Sequence, residues 1–225
     1  RIIQVDGMKV IVEPIEDIES AIPAWEGELI PVPYNIAQGV GQLRKAVAEK
    51  KANAEKPILK ELEKVVDKHK ETHTLPTHNA FLMEQYKDFT IIHSCSGSLV
   101  NDTIGRYVAA KLSEETGVSV NMKIDPYRIM IQTIAMPEDV KKILLGAADM
   151  EEVLVKELER SSLFKYRFLQ VAKRFGVVAR NAQYNKLNLN RLVKEYASSP
   201  VYNETLREIL LEKMDIVNAK RVLEQ

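Results

Sequence analysis

The sequence contains few of the features that mark secreted or membrane proteins. It has one cysteine, Cys95, in 225 residues, so no disulfide can form within the chain. It has no signal peptide, and no apolar run reaches the roughly 18 residues that a membrane-spanning helix needs. These absences predict a cytoplasmic protein without a membrane partner, and a chain of this length can bury a core without disulfides.

The sequence also lacks the loop Gly-x-x-x-x-Gly-Lys-Ser/Thr, whose backbone N–H groups and lysine hold nucleotide phosphates. The nearest pattern is Gly39-Val40-Gly41, which falls inside a predicted helix, and close packing of that helix on a strand accounts for it better. We therefore predict no cofactor and no catalytic centre in this chain. The sequence begins at Arg1 inside a predicted strand, so we expect a fragment of a longer protein.

Charge is balanced overall, with 32 basic and 32 acidic residues, which, taken globally, argues against a strongly basic nucleic-acid-binding protein. Its distribution is uneven, because no Asp or Glu occurs between Glu159 and Glu195. The basic residues of this acid-free stretch are Arg160, Lys165, Arg167, Lys173, Arg174, Arg180, Lys186, Arg191 and Lys194. A positive segment of this kind is typical of phosphate contacts. The alternatives are a solvated surface, or ion pairs with Glu28 or Asp102.

Helical periodicity arranges part of this stretch. Apolar residues at helical spacing predict a stripe that faces the core: Phe164, Phe168, Val171 and Phe175. Arginines seven residues apart predict one line beside that stripe: Arg160, Arg167 and Arg174. Lys165 and Lys173 are predicted further round, towards solvent. Arg167 lies between two aromatic residues, and we expect it to be the most structural of the arginines.

The pattern of short apolar segments predicts an α+β fold that begins with a β-rich module. Strands are predicted at 9–14 and 28–32, and Asp6-Gly7 is a hairpin turn signal. Two helices follow, one capped by Asn35 and one at about 57–70.

A central β-β-α-β-β unit and a C-terminal helical array complete the predicted fold. Hairpins are predicted at 80–93 and 118–133, on either side of a helix at 99–115 that Gly117 ends. In the helical array, Pro137 starts a short helix, and further helices are predicted at 150–160, 163–175, 187–196 and 202–211. We interpret 1–136 as an α+β part and 137–225 as a helical part packed on it, in one continuous domain.

Three other patterns have weaker functional interpretations. His69 and His73 have zinc-ligand spacing, but Lys70 occupies the position of the required Glu, so a solvated helix end is favoured and no metal is predicted. His93 and Cys95 could act as base and nucleophile of a small hydrolase, without an evident orienting residue. The segment 96–98 could hold a phosphate at a helix N-terminus, although a capping role for Ser98 is simpler.

Three separated segments together resemble the accessory domain that follows the motor in large helicase-related (Lhr-type) helicases. The first is Trp25-Glu26-Gly27-Glu28, followed by a helix with Leu43-Arg44. The second is His93-Ser94 with Gly97, Val100 and Asn101. The third and most specific is Phe164-Lys165-Tyr166-Arg167-Phe168, followed by Val171-Ala172 and Arg174. The resemblance covers nearly the whole chain.

The resemblance implies a role within an ATP-driven superfamily 2 translocase that unwinds duplexes in the 3′ to 5′ direction, with a part in DNA repair. The motor of the parent protein would bind ATP and Mg²⁺. Partners implied are the rest of the same helicase chain and single-stranded or forked DNA, with RNA or a DNA/RNA hybrid left open. In the family, the motif tryptophan stacks on a nucleobase, a role that the resemblance assigns to Trp25. Burial of Trp25 in a β core is the alternative.

We therefore expect a domain that grips nucleic acid without catalysing a reaction. Its candidate contacts are Trp25, Arg160, Lys165, Lys173, Arg174 and Arg180. The charge would hold phosphates, and stacking would tolerate any base sequence. If so, Trp25 and some of the basic residues should line one groove. The alternative is a protein-interaction scaffold that uses the mixed-charge helix near 50–70 and the C-terminal helices.

Overall fold

The computed structural model describes residues 2–6, 9–13, 30–182 and 188–224. The chain forms two compact units, 1–30 and 31–225. In the first unit, strands β1 (Ile2–Asp6) and β2 (Lys9–Val12) pair antiparallel. This pairing agrees with the hairpin predicted from Asp6-Gly7, although Gly7 itself lies outside the described residues.

The second unit begins with an extended segment and two helices. Residues 30–33 form no strand, so the predicted strand at 28–32 is wrong in its described part. The physical reason is that Pro31 and Pro33 have no N–H to donate to a sheet. Helices α1 (Tyr34–Ala48) and α2 (Lys56–Thr72) then pack against each other.

A four-stranded antiparallel sheet and one long helix form the centre of the second unit. Its strands are β3 (Leu82–Tyr86), β4 (Phe89–His93), β5 (Asn121–Asp125) and β6 (Arg128–Gln132). Their order in the sheet is β3-β4-β6-β5. Helix α3 (Ser98–Thr116) joins the two hairpins and packs against β5 and β6. Gly117 ends it in the left-handed conformation, with φ 69°. The predicted β-β-α-β-β unit is confirmed.

The remaining helices pack around α3 and one another. They are α4 (Pro137–Leu145), α5 (Met150–Arg160), α6 (Ser162–Arg174), α7 (Leu189–Glu195), α8 (Pro200–Lys213) and α9 (Ile216–Leu223). Helix α9 has no counterpart in the sequence prediction. One continuous core includes Ile104 and Ile129 of the central unit together with Leu154 and Phe168 of the helical array. The α+β class is therefore confirmed, while a boundary near 136 stays a prediction.

A polar cluster ties α3 to the turn before α5. Tyr107 Oη donates a hydrogen bond of 2.8 Å to Asp149 Oδ1, and Lys111 Nζ donates one of 2.5 Å to Asp149 Oδ2. The bond from Lys111, followed by the bond from Tyr107, lowers the pKa of the Asp149 carboxyl below its ordinary 3.8. The ionised carboxylate therefore links two elements of the core.

Asp149→Asn should reduce the pH dependence of stability. A lowered folded-state pKa contributes stability above the unfolded-state pKa, and this contribution is lost as pH falls through the folded-state value. Because Asp149 is 39% exposed, solvent screening limits the expected loss at pH 6 to about 1 kcal/mol. Urea unfolding at pH 6 and pH 3 measures it. Asp139→Asn, in the exposed pair with Lys142, is the control, and a pH-independent gap at Asp149 would contradict the assignment.

Candidate nucleic-acid interface

The acid-free stretch is divided between two helices by a break at Ser161. Ser161 has extended backbone angles, with φ −74° and ψ 155°, and its Oγ accepts a hydrogen bond from Phe164 N at 3.1 Å. Ser161 is thus the N-cap of α6, and Arg160 is the last residue of α5. The predicted single line of arginines from Arg160 to Arg174 is wrong, because it assumed one uninterrupted helix.

Helix α6 buries one aromatic face. Phe164 and Phe168 are fully buried, with ring centroids 6.2 Å apart, and Val171 is buried beside them. Phe175 was predicted on the same stripe, but it is 51% exposed. The helix ends at Arg174, and Gly176, with φ 73°, turns the chain away. Phe175 still donates its N–H to the Val171 carbonyl at 2.9 Å and so keeps the helical phase, and its ring is exposed where the stripe reaches the end of the helix.

Two arginines of α6 bind carboxylates of α8. Arg167 Nη1 lies 3.1 Å from Glu208 Oε2, and Arg167 Nη2 lies 2.5 Å from Glu212 Oε2. Arg174 also pairs with Glu208. The hydrogen bond with Glu212 raises the pKa of Arg167, and the same bond lowers the pKa of Glu212. Arg167 therefore has the structural role predicted for it, with partners other than Glu28 and Asp102.

The ion pair with Glu208 also affects the prediction for Arg174, which the sequence predicts to be a phosphate contact. Its side chain is 56% exposed, and its partner Glu208 is 13% exposed. A phosphate would have to compete with that carboxylate for the guanidinium group. A nucleic-acid contact at Arg174 stays a prediction, with a weaker electrostatic basis than at a cation without an acidic partner.

Four of the predicted contacts have no acidic partner among the residues that the structure describes: Arg160, Lys165, Lys173 and Arg180. Arg160 and Arg180 are exposed, and Lys165 and Lys173 are half-buried. Lys165 lies in the first turn of α6 and Lys173 in the last, about 12 Å apart along the axis at 1.5 Å per residue. These four residues, called here the free cations, are distributed along α6 and beyond both of its ends.

Arg160 also borders a cleft of about 270 Å³ between α3, β5 and α5. The cleft is lined by small side chains of α3, such as Ala109 and Ser113, and by Met122. Arg106 lies at the same cleft and is paired with Asp102 at 2.7 Å. This part of the surface therefore combines the Arg160 guanidinium group with a partly apolar opening that the acidic residue Glu157 also lines.

Helix α6 presents one aromatic side chain that the sequence analysis did not select. Tyr166 is 57% exposed, and it makes no hydrogen bond, ion pair or ring contact within the described part of the chain. The signal for its exposure was present in the sequence. Residue 166 is two positions after Phe164, about 200° round the helix at 100° per residue, on the side opposite the buried stripe.

The predicted shared groove cannot be traced to Trp25. Trp25 and Glu28 lie outside the described residues, as does Lys186. The stacking role of Trp25 and its place beside the basic residues stay predictions.

The structure gives His93 and Cys95 structural roles. Cys95 is 2% exposed, and its burial raises the pKa of the thiol, which opposes nucleophilic attack. Arg44 Nη1 lies 3.6 Å from Cys95 Sγ, and Gln38 Nε2 donates to the Cys95 carbonyl at 2.8 Å. His93 Nε2 lies 3.2 Å from a carboxylate oxygen of Glu84. The contacts of Arg44 and Gln38 attach α1 to the end of the sheet, and the contact between His93 and Glu84 joins β4 to β3.

The two suggested phosphate loops do not fit a phosphate. Ser98 Oγ accepts from Val32 N at 2.9 Å, and Ser98 N donates to the Val32 carbonyl at 3.0 Å, so the extended segment occupies the start of α3. The N-cap of α3 is Gly97, and not Ser98 as predicted. Gly41 faces the backbone of a loop, where an added Cβ would lie 2.6 Å from His78 N. The predicted close packing is thus against a loop.

The paired histidines lie at the end of α2. The rings of His69 and His73 are 5.7 Å apart, His69 Nε2 lies 3.2 Å from the Thr74 carbonyl, and His73 Nδ1 lies 4.0 Å from Glu84. Within the described ranges, no group of three potential metal ligands occurs, and no helix is long and apolar enough to span a membrane.

Comparison of the chain with known protein families and solved structures shows which family it belongs to. The model of the family described as "DEAD/H associated" matches residues 75–225. The chain belongs to this family. The Lhr resemblance is also confirmed, because the chain is 26% identical to the ATP-dependent helicase Lhr-Core of Saccharolobus solfataricus over 97% of its own length and 27% identical to that of Methanocaldococcus jannaschii over 95%. It spans 29% and 28% of those relatives.

A solved structure shares the fold. The chain matches the structure of Mycobacterium smegmatis helicase Lhr bound to ssDNA and AMP-PNP with a TM-score of 0.65 and 20% identity. The match covers 94% of this chain and 30% of that one. The chain therefore shares the fold of this part of the mycobacterial helicase, and the four free cations lie within the part that the DEAD/H associated model matches.

Proposed function

We propose that this domain holds single-stranded nucleic acid beside the motor of an Lhr-type, ATP-dependent 3′ to 5′ helicase. The observation that carries the proposal is the set of free cations, Arg160, Lys165, Lys173 and Arg180, on a segment without acidic residues. Phosphate neutralisation by such side chains releases counterions and makes binding depend steeply on salt.

The electrostatics of α6 support this function. Arg167 and Arg174 meet the carboxylates of Glu208 and Glu212, so these two acids beside the basic helix are neutralised. The lysines at its two ends keep their charge for an external anion. A strand running along α6 would pass both of them, because the helix is about 20 Å long.

The relatives supply the proposed setting. The archaeal proteins that the chain resembles are named as ATP-dependent helicases, and the mycobacterial structure holds single-stranded DNA. By this kinship, we assign the motor, with its ATP and Mg²⁺, to the rest of the parent chain. The accessory domain would act mechanically: it would resist backward slipping of the strand while the motor advances.

Trp25→Ala tests the stacking half of the proposal. Loss of one stacked base weakens single-strand affinity by about 1–3 kcal/mol, so unwinding by the full-length helicase should fall more than its ATP binding does. Trp25 is the only tryptophan, and its fluorescence reports binding directly. We expect quenching when an oligonucleotide binds the wild-type chain.

Trp25→Phe is the matched control and should retain most of the binding and unwinding, because an aromatic face remains. If Trp25→Ala unwinds as the wild type does and the fluorescence of Trp25 does not respond to oligonucleotide, the stacking role is wrong. The salt dependence of single-strand binding would then be the remaining test of the proposed phosphate contacts.

A further inference from the structure

Tyr166 is distinguished from the other tyrosines and phenylalanines that the structure describes. Three of these aromatic residues are exposed: Tyr86, Tyr166 and Phe175. Tyr86 has Lys87 Nζ 5.2 Å from its ring centroid, and Phe175 lies past the end of α6. Tyr166 alone of these three lies within a helix and has a free ring face and a free hydroxyl group.

Packing within the domain does not explain an aromatic residue at this position. Phe164 and Phe168 fill the core side of α6, while Tyr166 projects from the opposite side and is 57% exposed. At an exposed helical position, Lys, Glu or Gln is more favourable for the helix than Tyr. Because neither the core nor helix propensity requires this ring, an external contact is the better explanation.

The neighbours of Tyr166 on the outer face of α6 indicate which kind of contact. Gln170 follows one turn later, and Lys173 follows after seven residues, within about 20° of the same line and about 10.5 Å along the axis. Gln170 is half-buried, and Lys173 has no acidic partner in the described ranges. The face contains an aromatic ring, an amide and an ammonium group, and it contains no carboxylate.

We propose that Tyr166 is a second base-stacking residue, and that Gln170 and Lys173 hold the adjoining nucleotide of the same single strand. This rests on the proposed function. The ring would take a base face, which is sequence-tolerant, and the Lys173 ammonium group would take a phosphate. Charge complementarity selects a polyanion as the occupant, and the free ring selects one with unpaired bases.

The surface beside this face does not oppose a polyanion. Two acids of α8 that face α6, Glu208 and Glu212, are held by Arg167 and Arg174, and Glu204 of the same helix is paired with Arg207. The ion pairs of Arg167 and Arg174 also join α6 to α8, so the face that contains Tyr166 belongs to a helix that is packed against the rest of the domain. The ring of Tyr166 is thus exposed on a packed helix and not on a loop.

The test is equilibrium binding of the whole chain to a fluorescently labelled single strand at several salt concentrations. Tyr166→Ala should weaken binding by about 5- to 140-fold, the effect of losing one stacked base. The slope of log affinity against log salt should not change, because no phosphate contact is lost. Tyr166→Phe should bind within about twofold of the wild type, because the ring is retained.

Two controls separate stacking from a structural effect. Tyr86→Ala removes an equally exposed tyrosine on the sheet and should leave affinity unchanged. A phosphodiester strand without bases should bind the wild type and Tyr166→Ala equally, because it offers no base to stack. The assignment of stacking to Tyr166 is overturned if Tyr166→Ala also binds the abasic strand more weakly than the wild type does. It is equally overturned if Tyr86→Ala loses as much affinity for the base-containing strand as Tyr166→Ala.

The outcomes also distinguish this inference from the proposed function. If the wild type binds with a steep salt dependence and Tyr166→Ala binds equally well, the inference is overturned and the charge-based function stands. If the wild type binds no single strand at any salt concentration, both are overturned. A selective loss in Tyr166→Ala on the base-containing strand supports the inference.

Discussion

Replacing the four free cations together, as Arg160→Gln, Lys165→Gln, Lys173→Gln and Arg180→Gln, should remove most of the single-strand affinity of this chain. Each phosphate contact contributes about 0.7 to the slope of log affinity against log salt on a single strand, so four contacts contribute roughly 3. At 0.1 M salt this corresponds to a loss on the order of 10²-fold or more.

The prediction depends on exposure and on missing partners. All four side chains reach solvent, and none has an acidic partner in the described part of the chain, so glutamine leaves no buried carboxylate unpaired. The free energy of unfolding should therefore change little. Fluorescence anisotropy across a salt series measures affinity and slope, and urea unfolding verifies the fold.

Helix α2 offers a control with the same change in charge. Four of its lysines are exposed and have no resolved partner in the described residues: Lys56, Lys60, Lys68 and Lys70. Their replacement by glutamine should leave single-strand affinity within a few fold of the wild type. If both quadruple variants lose affinity equally, binding follows net charge and not a site around α6.

Gly97→Ala should lower the free energy of unfolding by about 2–4 kcal/mol, because strain and a steric clash combine at this position. The backbone angles of Gly97 are φ 84° and ψ 172°, a region that only glycine occupies readily. An added Cβ would lie 2.6 Å from the Val32 carbonyl oxygen and 3.0 Å from Pro33. To relieve this clash, the extended segment at Val32 and Pro33 would have to move away from the start of α3.

Gly117→Ala is the matched control. Its φ is 69°, but nothing lies within 4 Å of an added Cβ, so strain alone is expected to cost about 1–2 kcal/mol. Thermal and urea unfolding of both variants would compare the two positions. Equal losses at Gly97 and Gly117 would show that the contact between α3 and the extended segment contributes nothing to stability.

The elements that could be predicted from the sequence are those specified by local signals. The end of α3 at Gly117, where φ is 69°, is a position where residue type and backbone angle coincide. The strand predicted up to Val32 failed because Pro31 and Pro33 cannot donate to a sheet, but the actual partner of this segment was not predictable from the sequence. Val32 pairs with Ser98, 66 residues away, and no local pattern encodes such a contact.

The sequence could predict which basic residues belong to the candidate site, but it could not predict how they are arranged or which of them are paired with acids. The acid-free stretch identified the basic residues, but the acids that bind Arg167 and Arg174 come from α8, 34 to 45 residues along the chain. The extended Ser161 also separates Arg160 from the helix that follows. Helical phase could have identified Tyr166, since its displacement from the stripe of Phe164 and Phe168 is visible in the sequence.

The most direct test of the account is the salt dependence of single-strand binding by the wild-type chain. Anisotropy of a labelled oligonucleotide should show tight binding at low salt and a linear fall of log affinity with log salt, with a slope of about −3 or steeper if the free cations meet phosphates. Absence of binding at every salt concentration, or binding that salt does not weaken, would contradict the proposal that this domain grips the strand by its charge.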